Sequence, residues 1–270
     1  MRTGQKKLKG VVLAGGLGRR LGPLTEITNK HLLPVWDRPM IFYPLRSLIE
    51  AGIDDVLIVT GGQNPGEFMR LLGDGRAFGF RRLTYTYQQG QGGIAAALAC
   101  AADSAEGGPL CVILGDNILQ KSVRSQVERF QRQEGGARIL LKKVPHPERF
   151  GVARFDGRRL THIVEKPAKP PSSYAVTGIY FYDATVFDII STLRPSRRGE
   201  LEITDVTNTY LRRGRLTHGI LSGWWSDAGT VESLHHAARL SARTWFLPGA
   251  REPFWRPFDL WVKSRVDRTA

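Results

Sequence analysis

The sequence predicts an α/β fold: a central, mostly parallel mixed sheet flanked by helices, followed by a smaller α+β part. Three observations lead there. Short, wholly apolar, β-branched runs alternate with longer helical patterns through the first half, as in parallel strands covered on both faces. The first such run passes straight into the glycine-rich turn "AGGLG", and a later one ends in "GD". Ligands of open parallel sheets sit beyond the carboxyl ends of the strands, so both features fall where a site belongs. Beyond about residue 136 the pattern changes to strands joined by turns, which argues for a mixed second half.

Each element follows from its pattern. "GVVLAG" (10–15) reads as a buried strand, and "MIFYPLRSLIEAG" (40–52) as a helix closing on glycine. "DVLIVT" (55–60) is the next strand, followed by a helix near 64–72 and a strand near 83–87. "GIAAALACAADSA" (93–105) reads as one helix, and "LCVILGD" (110–116) as another apolar strand. In the second half, strands are predicted at 137–144, 151–156, 160–167 and 174–183. Helices at about 183–193 and 202–213, a strand near 215–221 and a helix near 230–245 complete the order. The last stretch, from Leu247, has prolines and aromatics but no clear period, which suits either a docking tail or a partly disordered one.

With 270 residues there is ample chain for a large core. No apolar run approaches the length of a membrane span, and the basic N-terminus leads into an apolar run too short for a signal peptide; cytoplasmic residence is expected. The net charge of +14 would suit a nucleic acid, a membrane surface or a small anionic substrate. The basic residues are spread along the chain, with clusters at 81–82 and 212–215, and no zinc finger, RNA-recognition signature or heptad array accompanies them. Most of these charges therefore read as solvated surface, and neither a nucleic-acid nor a membrane partner is expected. Cys100 and Cys111 match no metal-ligand spacing and read as core thiols, and the histidines show no zinc spacing.

The stretch "LAGGLGRRLGPLT" (13–25) combines close-approach glycines with two adjacent arginines, whose forked donors suit phosphate oxygens. It is not a Rossmann fingerprint, because Leu21 stands where the third glycine of G-x-G-x-x-G belongs. Nor is it a Walker A loop, since no G-K-[ST] occurs in the chain. What remains is a polyphosphate turn of another kind.

That stretch resembles the L-x-G-G-x-G-T-R-L-x-P-L-T signature of the sugar-1-phosphate nucleotidyltransferases. "NKHLLPVWDRPMIFYPL" (29–45), "LGDNI" (114–118), "VEKP" (164–167), "YAVTGIYFYD" (174–183) and "RGELEITDV" (198–206) follow in family order and at family spacing. The likeness runs from about residue 9 to 240 and is strongest to the glucose-1-phosphate thymidylyltransferase branch. It implies a Rossmann-like nucleotidyltransferase fold over 1–240, with a nucleotide-binding half to about 135, a sugar-phosphate half over about 136–240, and a 241–270 tail suited to subunit contact. It also implies a reaction: a sugar-1-phosphate oxygen attacks the α-phosphorus of dTTP (or UTP), and pyrophosphate leaves. Glucose-1-phosphate is the expected acceptor, with another hexose-1-phosphate as the alternative and a catalytically silent nucleotide-sugar-binding regulator as the competing class; a dimer or tetramer of identical chains is the expected assembly.

By motif position the resemblance makes Arg20 and Lys30 catalytic cations for the triphosphate. It places Leu13, Gly15, Gly16, Gly18, Gln88 and Gly93 around the nucleotide. An amide such as Gln88 carries both a donor and an acceptor, which suits the edge shared by thymine and uracil. Asp116 and Asp227 become ligands for Mg²⁺, a cation that takes carboxylate oxygens and keeps several waters. Gly151, Glu165, Lys166, Val176, Arg198 and Trp225 fall on the sugar-phosphate side. Adjacent strand residues point to opposite faces, so Glu165 and Lys166 can share a pocket only if the chain turns at "EKP". This chain departs from the family pattern at Arg19 (usually threonine), Ala96 (often glutamine), Phe150 (often tyrosine), and Ser226 and Ala228 beside Asp227. These changes leave the reaction class intact and bear on the sugar.

Overall fold

Strand β1 (Lys9–Ala14) delivers the glycine turn from the middle of the sheet, in a computed structural model that describes residues 6–62, 64–246 and 258–261. Two-residue strands β2 (Pro34–Val35) and β3 (Arg38–Pro39) precede helix α1 (Phe42–Glu50), after which come β4 (Asp55–Gly61), α2 (Gly66–Leu72) and β5 (Arg82–Gln88). Next are α3 (Gly93–Ala99), α4 (Ala102–Ala105), β6 (Leu110–Leu114), β7 (Asn117–Leu119) and α5 (Arg124–Gln131). The second half holds β8 (Ala137–Lys143), β9 (Gly151–Asp156), β10 (Arg159–Glu165), β11 (Tyr174–Tyr182), α6 (Val186–Ser191) and α7 (Ile203–Arg212). β12 (Leu216–Ile220), β13 (Trp225–Asp227) and α8 (Val231–Ser241) follow.

Both halves share one nine-stranded sheet. Its path is β10-β9-β11-β6-β1-β4-β5, and β8 pairs with β11 on one side and β12 on the other. The β1–β4, β1–β6 and β4–β5 pairings are parallel, with Leu13 opposite both Val59 and Leu114, and Gly61 opposite Gln88. That register brings Gly15, Gln88 and the chain leading to Asp116 to one end of the sheet. β11 turns the sheet antiparallel against β6, with Ile179 opposite Ile113. The mixed sheet expected from the sequence is thus present.

Alternation along β1 splits the core. Val12 and Ala14 pack with α1 residues Phe42, Leu45 and Leu48 on one face. Val11 and Leu13 pack with Ala95 and Leu98 of α3 and with Ile203, Val206 and Tyr210 of α7 on the other. Each valine, leucine, isoleucine or phenylalanine among them, taken fully out of water, contributes about 1.5–3 kcal/mol, which pins the helices that carry site residues.

Several elements differ from the sequence-based expectation. The helix expected over 93–105 breaks after Ala99, where Cys100 and Ala101 donate to the carbonyls three residues back, at Ala97 and Leu98. Cys111 is buried, but Cys100 is only partly so. α5 was not expected, because Val127 and Phe130 are the only buried residues of its length and the apolar stripe is thin. β7 and β13 are three residues each and pair with one another across the chain, Asn117 opposite Asp227. No local period can announce such a ladder. The helix expected over 230–245 starts on a Thr230–Ser233 capping box and passes into a π-helical turn at Ala242–Phe246. Of the expected docking tail, 258–261 is described: Phe258, 1% exposed, stacks on Phe78 at 4.9 Å and meets Phe42 at 4.9 Å. The remainder of that stretch lies outside the described residues. No helix among them is long and apolar enough to cross a membrane.

Candidate active site

At the carboxyl ends of β1, β5 and β6 opens a cleft of about 350 Å³. Its floor is the glycine turn. An added side chain at Gly15 would sit 2.8 Å from the Gln88 amide oxygen, and one at Gly16 would sit 3.4 Å from the Lys30 stem. Gly18 adopts the left-handed region (φ +67°), where a Cβ would meet Lys30 Cβ at 2.7 Å and Thr25 Cγ2 at 2.9 Å. Gly18 therefore lies behind the cleft and seats Lys30. The following 3₁₀ turn, Arg19–Leu21, directs Arg20 into the cleft and buries Leu21. Arg19 is exposed and is not among the residues lining the cleft.

Lys30 Nζ donates to Asp116 Oδ2 at 2.6 Å, both side chains being largely buried. Burial alone would raise the Asp116 carboxyl, but the Lys30 ammonium overrides it and holds the group well below the usual carboxylate range. His31 lies directly behind: its Nδ1 pairs with Asn29 Oδ1 at 2.8 Å, and a Cβ on Gly115 would sit 2.6 Å from its ring. Burial and the neighbouring Lys30 push the imidazole down to about 3, so it is neutral. Asn117, also buried, donates to Asp116 Oδ1 at 2.9 Å while its own oxygen accepts from Gly178 N–H at 3.0 Å and Trp225 Nε1 at 2.7 Å. One amide thus fixes a predicted metal ligand, strand β11 and the Trp225 wall.

Asp227 reaches the same place from β13. A point one Cβ out from Gly229 lies 3.4 Å from Asp227 Oδ2, 3.7 Å from Asp116 Oδ2 and 3.1 Å from an Arg20 Nη. Arg149, from the 3₁₀ turn before β9, approaches Asp227 Oδ2 at 3.5 Å. These two cations do not compensate it: burial, then the Asp116 charge, raises the Asp227 carboxyl to about 6. Two converging carboxylates, one of them under-neutralised, fit a small divalent cation. Among the described residues no third His, Cys, Asp or Glu joins them, so waters and phosphate oxygens would complete such a shell.

Beside the glycine turn, Gln88 is only 7% exposed and donates to Gly93 O at 3.3 Å. Gly93 is left-handed (φ +88°), and a Cβ there would lie 2.8 Å from Leu201 O. Leu201 N–H donates to Gly92 O at 2.8 Å and Ala95 N–H donates to Leu201 O at 3.2 Å, so this turn is laced to the segment carrying Arg198.

On the far side, Glu165 accepts from Thr204 Oγ1 at 2.6 Å and from Arg198 at 3.4 Å. Arg198 is held chiefly by Glu202, at 2.7 Å. Lys166 adopts φ +41°, a left-handed backbone for a residue with a side chain. That turn answers the alternation problem, since Glu165 and Lys166 both line the cleft. Gly151 leaves room in front of Glu165, whose Oε2 would lie 3.5 Å from an added Cβ. Val176 and Trp225 form apolar wall, and the Phe150 ring meets Trp225 edge-on at 5.2 Å.

Every residue that the resemblance assigns to the site, Gly18 excepted, lines this one cleft. Sequence reasoning missed His31, Asn117, Arg149 and Thr204, all of which line it too. His31, Asn117 and Thr204 stand inside the quoted motifs and could have been weighed there; Arg149 carries no local signal.

Comparison with known proteins gives the family. Residues 9–244 match the family model described as Nucleotidyl transferase. A glucose-1-phosphate thymidylyltransferase of Neisseria gonorrhoeae is 45% identical over 235 residues, covering 86% of this chain and 81% of that one. One from Xanthomonas campestris is 46% identical over 234 residues, covering 85% and 79%. A solved structure from Bacillus anthracis, described as a glucose-1-phosphate thymidylyltransferase in complex with sucrose, superposes with a TM-score of 0.85 at 50% identity, covering 89% of this chain and 97% of that one. A glycine turn facing paired aspartates, in a chain matched over nearly its whole length, belongs to the nucleotidyl transferase family.

Proposed function

We propose that this chain transfers a thymidylyl group from dTTP to glucose-1-phosphate, giving dTDP-glucose and pyrophosphate. The observation that carries the proposal is the convergence, in one cleft, of Arg20, Lys30, Asp116 and Asp227 at the glycine turn with Glu165, Lys166 and Arg198 opposite them. Relatives bearing that activity's name, at 45% identity and above, support the choice of substrates.

Two anions must meet, so positioning and charge neutralisation dominate the chemistry. Gln88 reads the base edge from its buried seat, and the glycine turn lets the triphosphate lie against the backbone. Arg20 grips the departing phosphates, and Lys30 serves the α-phosphate as a point charge. Arg198 and Lys166 hold the sugar phosphate, and Glu165 accepts hydrogen bonds from sugar hydroxyls. A phosphate oxygen of glucose-1-phosphate forms a bond to the α-phosphorus. The bond from that phosphorus to the bridging oxygen breaks, and this oxygen leaves with pyrophosphate; no protein nucleophile intervenes. Asp116 and Asp227 would hold Mg²⁺, which would neutralise phosphate charge when bound. The reading extends, on family likeness, to a homo-oligomer acting in the cytoplasm; light scattering of the purified chain reads the assembly.

The test is pyrophosphate release from four triphosphates against a panel of sugar-1-phosphates, with and without Mg²⁺. Greatest turnover is expected for dTTP with glucose-1-phosphate. Preference for UTP, whose base differs by one methyl, would keep the chemistry and change the donor; no turnover in any pairing would sink the enzyme reading.

A further inference from the structure

Arginine pairs recur along the chain, and the fold treats the 81–82 and 212–215 clusters differently. Arg81 and Arg82 are neutralised: both bond Asp55 at 2.7 Å, Arg81 also nears Asp54, and Arg82 nears Glu106. In the 212–215 cluster, Arg215 pairs with Asp183 at 3.4 Å, while Arg212 and Arg213 make no ion pair among the described residues. Arg212 does donate to Thr209 Oγ1 at 2.8 Å, and the fold brings two more arginines to that end. Arg158 and Arg159, at the tip of the β9–β10 hairpin, also lack a carboxylate partner among the described residues, although Asp156 stands opposite Arg159 in the ladder.

Between that hairpin, the end of α7 and β12 runs an open groove of about 610 Å³. Arg158, Arg159 and Arg212 line it, Leu160, Leu211 and Leu216 contribute apolar surface, and no Asp or Glu is among its lining residues. His218 closes one side, its ring 5.9 Å from Phe155. The groove lies at the opposite end of β10 and α7 from the cleft: β10 runs from Arg159 to Glu165, and α7 from the Thr204 turn to Arg212. Cations at a helix C-terminus favour its dipole, which accounts for Arg212 and Arg213. It does not account for two hairpin arginines converging on the same groove.

We propose that this groove binds an acidic peptide segment of a partner protein, one that alternates carboxylates with apolar side chains. Arginine forks match carboxylates, and the leucines accept the intervening apolar residues. A recessed apolar floor cannot enter a bilayer. A single ring, His218, lines the groove, and it already packs against Phe155, so a run of nucleic-acid bases finds no row of stacking platforms there. A lone small anion would leave that floor uncovered. The inference is independent of the reaction assigned to the cleft.

The experiment is fluorescence anisotropy of the full chain with a short labelled peptide alternating glutamate and leucine, a glutamine–leucine control, duplex DNA, and phosphatidylglycerol vesicles. The expected result is binding of the glutamate peptide that weakens at least about tenfold in Arg158→Glu/Arg159→Glu and at high salt, with pyrophosphate-release turnover unchanged as evidence of an intact fold. Equal binding by wild type and variant, equal binding of the glutamine control, or tighter arginine-dependent binding of DNA or vesicles would each overturn the proposal.

Discussion

Replacing Asp227 by asparagine should stabilise the fold while disabling the reaction. The carboxyl lies at the bottom of the cleft with its side chain 19% exposed, and burial plus the Asp116 charge lifts it from 3.8 to about 6. Such a displacement corresponds to roughly 3 kcal/mol favouring the protonated form in the folded chain. The sign follows from proton counting. Between about pH 4 and 6 the unfolded chain has released this proton while the folded chain retains it, so wild-type stability falls as pH rises through that window. Above it the folded carboxylate carries the whole cost. Asparagine keeps the shape and removes the charge, so the variant should exceed wild type by up to about 3 kcal/mol at pH 8 and by much less at pH 4.5. At about 2–4 °C per kcal/mol for a chain of this size, thermal melts in chelator resolve the gap. Adding Mg²⁺ should raise the melting temperature of wild type and leave the variant almost unmoved. Turnover should fall at least about tenfold, or roughly 1.4 kcal/mol of barrier. Identical melts at pH 8, or a gap that does not shrink at pH 4.5, would refute the reasoning.

Three further outcomes are expected. Lys30→Ala should lower turnover at least about tenfold and let the Asp116 carboxyl rise, a shift that NMR titration follows; near-normal rates would remove Lys30 from the chemistry. Lys166→Gly should relieve a left-handed backbone at φ +41°, raising stability by about 1 kcal/mol in urea melts, while the KM for glucose-1-phosphate rises and that for dTTP stays put. His31 is pushed down to about 3, so the folded chain binds fewer protons than the unfolded one below about pH 6.5, and stability drains away as pH falls from there toward 3. His31→Gln should therefore flatten the acid limb of a pH–stability curve.

Much of this protein is written locally. β1, β4, β6 and α1 follow from apolar period, and the polyphosphate turn from three glycines and two arginines within a few residues, because side-chain periodicity and backbone freedom are properties of short segments. The ordered motifs likewise carry the family and more than half of the residues that gather in the cleft. What the sequence could not say is who meets whom. Asp227 joins Asp116 through the three-residue β7–β13 ladder and the bond that Ala228 N–H donates to Asp116 O, and Asn117 can clamp Trp225 and Gly178 only once β11 and β13 lie beside it. Glu165 and Lys166 share a pocket because one residue is left-handed, a conformation enforced by packing and disfavoured by its own chemistry. The same distinction governs charge. Two arginine pairs look alike in the sequence, and only tertiary structure decides that 81–82 meet carboxylates while 158–159 and 212 face a groove without them. Local segments fix what each piece is; contacts between residues far apart in the chain fix its electrostatic partners, and these arise only when the sheet closes.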